Sequence, residues 1–201
     1  MLSKLRRERN GAVADSMRFY GRGCGLNLGV SIPTIRSIAE AAPRDYEFAK
    51  YLYKQDVREL RIAALQLADP GRVTTDELGF WAEGIINSEI AEYAAMKLFS
   101  RVGYIDEILN RWADGRDELL GYAALMSAAR NTFAGAESVL PAVDRCTTAL
   151  PDSRLIAQGA AAALVALYGR DPEPVKAFIG SLTGDTAAAE YLSEEVLWQV
   201  E

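Results

Sequence analysis

Residues 29–71 read GVSIPTIRSIAEAAPRDYEFAKYLYKQDVRELRIAALQLADPG, and their punctuation decides the fold. Ser31 stands where a helix N-cap belongs, Pro33 suits a first turn, and Ile32, Ile35 and Ile38 recur at helical spacing. A second helix is expected over residues 45–54 and a third over 57–67, the last stopped by Asp69-Pro70-Gly71. The breaks between them are so short that neighbouring helices must return antiparallel, as hairpins.

The same grammar extends in both directions. A first helix is expected over residues 3–20, ending in the glycine-rich stretch GRGCG at 21–25. Thr74-Thr75-Asp76-Glu77 is a capping-box sequence ahead of Leu78, Phe80 and Trp81, and Asn87-Ser88 offers a cap for a helix over 89–101. Further helices are expected over 104–113, 116–130, 138–149 (with Pro141 in its first turn), 153–168, 172–182 and 186–200. The alanine run at 160–163 suits close helix packing, and Trp81, Trp112 and Trp198 fall in apolar patterns expected to be core. No strand run interrupts the series. The expectation is an all-α chain, a single domain over residues 1–201, built as an α-solenoid of about six helical hairpins (an α-α superhelix). Solenoids work through a concave face, so binding in a groove is the first functional expectation.

Composition narrows the chemistry. There is no histidine, which removes Ser-His and Cys-His nucleophile pairs, His-based zinc sites and the zinc deaminase signature together. Any reaction must run on carboxylates, Tyr, Lys or Arg. Cys24 and Cys146 lie far apart, suggesting neither a disulfide framework nor a metal site, so no metal and no cofactor are expected. No apolar run is long enough for a bilayer and the N-terminus lacks an h-region, giving the expectation of a cytoplasmic chain without a membrane partner. Charge is uneven. Residues 1–61 carry 12 Lys/Arg against 7 Asp/Glu, a net of +5, while residues 62–201 carry 10 against 21, a net of −11. A basic head on an acidic body argues against a nucleic-acid contact along the whole length.

Between Tyr20 and Pro70 the residues become specific. Tyr20, the turn Gly29-Val30-Ser31-Ile32-Pro33 with Ile35-Arg36, and then Leu52-Tyr53 and Arg58-Glu59-Leu60-Arg61-Ile62-Ala63 follow in order. This series resembles the AlkD-like DNA alkylation repair family, whose pattern has a Tyr, a Gly-Ile/Val-x-x-Pro turn, a Leu-Trp pair and a His-Glu-x-Arg-x-x-Ala helix. Tyr53 stands for the Trp and Arg58 for the His, while Glu59 and Arg61 are kept. Looser similarity runs through residues 87–99, 118–129 and 166–179. The resemblance implies HEAT-like helical repeats and excision of N-alkylated purines by a DNA glycosylase.

That chemistry needs a carboxylate to stabilise an oxocarbenium-like sugar and hold a water, aromatic faces for a cationic nucleotide, and arginines for flanking phosphates. By resemblance, the catalytic Asp falls on Glu92 and the neighbouring aromatic on Ser88. The later arginine falls on Leu119 or Leu120, and a late Trp and Arg fall on Ala163 and Ala166, within one residue. Tyr20 is kept. Candidate catalytic residues are therefore Glu92 and Tyr20, and candidate DNA-binding residues are Lys4, Arg6, Arg7, Arg9 and Arg58. Arg58, Glu59 and Arg61 also read as a structural ion-pair cluster. Two functional readings stay open: a family member that binds double-stranded DNA in its concave groove with excision lost or weakened, or a non-enzymatic interaction module whose acidic repeats take a basic protein partner.

Overall fold

A computed structural model describes residues 1–19, 25–114, 116–182 and 186–200. Tyr20 and Cys24 lie outside the described residues. The described chain is all-helical, with α1 (Leu2–Arg7), α2 (Gly11–Phe19), α3 (Ile32–Glu40), α4 (Tyr46–Tyr53), α5 (Arg58–Leu67), α6 (Leu78–Ala82), α7 (Ser88–Lys97), α8 (Ile105–Trp112), α9 (Glu118–Arg130), α10 (Ala136–Ala149), α11 (Arg154–Tyr168), α12 (Pro172–Ser181) and α13 (Ala187–Val200). Its extended pairing among the described residues is an isolated parallel bridge between Leu26 and Val57. No helix in the described residues is long and apolar enough to cross a membrane.

The chain divides into two compact units, residues 1–98 and 99–201. In the first, α3, α5 and α7 lie side by side as one layer, and α4 packs on α5 from the other. Tyr46 and Tyr53 of α4 close the second layer against Trp81 of α6, with ring centroids 6.3 and 4.7 Å apart. In the second unit α9, α11 and α13 form one layer, and α8, α10 and α12 pack against it. Each hairpin thus hides its apolar stripe on its neighbour, as in stacked helical repeats. The close packing of α9 on α11 depends on Gly159, where a Cβ would come within 3.0 Å of the Tyr122 ring.

Caps behave as the sequence implies. Ser31 accepts from the Thr34 amide, Asp45 from Phe48 and Asn87 from Ile90, and Thr74 and Glu77 form the reciprocal box. Three expectations are corrected. The first helix is broken at residues 8–10, because Asn10 caps a new one: its side chain accepts from Val13 (3.2 Å) while its own amide donates to Leu28 (2.8 Å). Pro141 is interior to its helix, which begins at Ala136 rather than at 138. Trp81 and Trp112 are buried, but Trp198 is 80% exposed.

Candidate functional site

The residues singled out in the sequence fall in three settings. Glu92 lies on α7, which Asn87 starts. Its carboxylate is on the exposed side of that helix, with Met96 one turn on and also exposed. Residues one position round the helix face inward: Ile90, Ala91, Tyr93, Ala94 and Ala95 are buried. Glu92 therefore stands on the outer surface of the α3/α5/α7 layer. Lys4, Arg6, Arg7 and Arg9 are all exposed around α1, which is held down by the fully buried Leu5. None of the four makes an ion pair among the described residues. Tyr20 is not described.

Arg58 is the correction. It is 1% exposed, and its guanidinium is consumed inside the fold. Nε and Nη2 donate to both oxygens of Glu89, each at 2.7 Å, a bidentate fork. Nη1 donates to the Val30 carbonyl at 2.9 Å and to Glu59 at 3.0 Å. Burial alone would lower its pKa, but the hydrogen bonds and charges of Glu89 and Glu59 outweigh that and hold the cation firmly. A phosphate could reach this group only by displacing Glu89.

Glu59, wholly buried beside it, accepts the Leu28 amide on both oxygens at 3.1 Å and the Val30 amide at 3.3 Å. Gly25 donates to Asp56, and the backbones of Leu26, Asp56 and Arg58 pair at 2.9 Å. The segment before α3 is thus pinned to the start of α5. Gly29 makes the crossing possible: its φ is +70°, and a Cβ there would lie 2.1 Å from the Asn10 carbonyl oxygen. The glycine of the resemblance is a close-approach residue, and the buried acid and arginine are its anchors. Arg61 completes the cluster, donating to the Gln55 carbonyl and to Asp56, with Nη1 buried and unpartnered.

Sequence reasoning missed a polar ribbon on the same layer. Arg36 donates to Glu40 (2.7 Å), Gln66 to Glu40 (3.4 Å) and the Tyr93 hydroxyl to Gln66 (3.1 Å), and the Lys97 ammonium lies 5.8 Å from the Tyr93 ring centroid. Burial raises the Tyr93 phenol above its usual pKa, with Arg36 pulling it partly back. The signal available in sequence was a polar residue recurring at about thirty-residue intervals on α3, α5 and α7.

The aromatic and arginine positions of the glycosylase set are filled by unlike residues. Ser88 is half-buried at the first turn of α7, Leu119 and Leu120 are half-buried on α9, and Ala163 is buried inside α11 with Ala166 half-buried. Glu92 can still offer a carboxylate, but position 88 offers it no ring for a cationic nucleotide. No cluster of three or more His, Cys, Asp or Glu capable of holding a metal occurs among the described residues.

A solved structure described as from a new family of proteins related to the HEAT-like repeat DNA glycosylases, with affinity for branched DNA structures, matches with a TM-score of 0.73 at 15% identity. The match covers 98% of this chain and 92% of that one, and shows the fold to be HEAT-like. No curated protein matches the sequence. The family model described as DNA alkylation repair enzyme matches residues 1–194, spanning both helical units, the Gly29 turn and Glu92. On that match the chain belongs to the DNA alkylation repair enzyme family.

Proposed function

We propose that this protein binds DNA, favouring branched forms, and has lost or weakened the alkylpurine excision associated with its family resemblance. The observation that carries the reading is the α1 arm, where Lys4, Arg6, Arg7 and Arg9 are exposed and uncompensated on a chain of net charge −6. Side chains left free in an otherwise acidic protein suit the phosphate backbone, which supplies most non-specific DNA affinity. Supporting the loss of excision, Ser88 replaces the aromatic wall beside Glu92, and Ala163 replaces a second aromatic. The affinity for branched DNA of the similar solved structure favours the choice of substrate.

The test is a binding titration on a three-way junction and a matched linear duplex at two salt concentrations, with excision of a methylated purine followed in parallel. Affinity should fall steeply with salt, and replacing Lys4, Arg6, Arg7 and Arg9 by alanine should flatten that slope by about 0.9 for each phosphate no longer neutralised. Excision should be absent or slow, and any product should disappear in Glu92→Gln. Failure to bind either DNA at low ionic strength overturns the reading. It would leave the alternative, a module binding a basic protein, which the acidic second unit favours with 8 Lys/Arg against 15 Asp/Glu, a net of −7.

A further inference from the structure

We propose that Phe133, with Arg101 and Arg170 beside it, is a second nucleic-acid contact in which the ring stacks on an unpaired base at a DNA branch point. The proposal rests on the DNA-binding reading above and deepens it. Phe133 lies in the short connection from α9 to α10 and is 76% exposed. A loop residue that met only water would ordinarily be polar, and this loop is held in place. Asn131, 2% exposed, donates through Nδ2 to the carbonyls of Ser100 (3.1 Å) and Val102 (2.9 Å). Its Oδ1 accepts the Phe133 amide at 2.7 Å, and its carbonyl accepts Arg170 Nη1 at 2.6 Å. One buried residue thus ties three segments together through its side chain and its carbonyl, and fixes the base from which the ring projects.

Those segments bring cations with them. Arg101 sits between the two carbonyls that Asn131 reads, Arg170 donates to its backbone, and Arg130 immediately precedes it; all three are exposed. Arg130 and Arg170 each also donate to a carbonyl, of Met126 and Asn131, while elsewhere in this acidic unit most cations are paired with a carboxylate. Arg111 pairs with Glu107, Arg116 with Asp114 and Lys176 with Glu173, while Arg145 donates to the carbonyls of Ala113 and Leu109. Arg101 and Arg170 make no ion pair with a carboxylate among the described residues. A solvated ring on a fixed backbone, with arginines on the segments tied to that backbone, has the chemistry of a stacking platform with phosphate clamps. Intact duplex hides its base faces, so such a ring gains a partner only where bases are unstacked, as at a junction.

The experiment uses the full chain and a three-way junction carrying 2-aminopurine at the branch point, with the linear duplex as control. Phe133→Ala should weaken junction binding about tenfold and remove the fluorescence change on binding, with duplex affinity unchanged. Phe133→Trp should restore both, and Arg101→Ala should weaken junction binding and lower its salt dependence. Thermal melting should be the same in all, since the ring is solvated. Junction binding and fluorescence unchanged in Phe133→Ala overturn this contact while leaving the α1 arm reading intact. Absence of binding by the unaltered protein overturns both.

Discussion

At the scale of the residue, the most demanding positions are Gly29 and the Arg58–Glu89 pair. Gly29→Ala would combine left-handed backbone with a Cβ driven against the Asn10 carbonyl, and should cost at least about 1–3 kcal/mol, read as a fall in the urea midpoint. An unchanged midpoint would mean the turn relaxes freely. Glu89→Ala strands a buried guanidinium and should cost about 3–5 kcal/mol. Arg58→Met with Glu89→Leu should cost less than the two single changes added together, because the uncompensated charge is what hurts. The burial of Arg58 was not readable in advance. A charged residue at a helix start looks solvated until its partners, about thirty residues away on either side, are in place.

Among the elements, α2 and α4 show how local rules and long-range packing divide the work. Asn10 was legible as a polar residue before a glycine, but its role as a cap was hidden because the charged run of α1 carries no strong stop signal. Asn10→Ala should lower stability by about 1 kcal/mol and loosen α2 first, visible as faster amide exchange at residues 13–19. The Thr74–Glu77 box was legible in full, whereas the second use of Glu77 was not. Burial would raise its pKa, yet hydrogen bonds from Lys50 (2.6 Å), Tyr46 (2.5 Å) and Thr74 lower it below the usual carboxylate value. A lowered native pKa contributes stability at neutral pH that disappears as pH falls below the unfolded value and through the native one. Glu77→Gln should therefore lower the melting temperature at pH 7 and matter much less near pH 3. An equal loss at both would show that its charge is not what α4 holds.

For the whole molecule, the all-helical class, hairpin order and layered packing within each unit follow from caps and apolar spacing, so the fold was largely legible apart from the break that makes two helices of the expected first one. The site was less so. Motif positions located Glu92 on an exposed helix face, and the same positions located Arg58 in the interior, since resemblance transmits register but not exposure. Net charge of +1 for residues 1–98, from 14 Lys/Arg and 13 Asp/Glu, conceals a basic first helix, and −7 for the remainder conceals the arginines around Asn131. DNA affinity should accordingly respond to a few discrete cations rather than to total charge. Neutralising Arg154, exposed at the start of α11 and in neither group of cations, should leave binding within twofold, measured in the same titration.

The ties that cross helices have a common span. Val30 to Glu59 is 29 residues, Arg58 to Glu89 is 31, Tyr53 to Trp81 is 28 and Asn131 to Ser100 is 31. In these four ties the bond reaches one repeat along the chain. Length is then a quantised property of this chain. Deleting a few residues inside a repeat should shift one set of partners out of reach, while removing or duplicating a block of about thirty should keep the helices in stacking register. Change by whole blocks is the route by which such a stack can grow or shrink and still pack each hairpin on a neighbour.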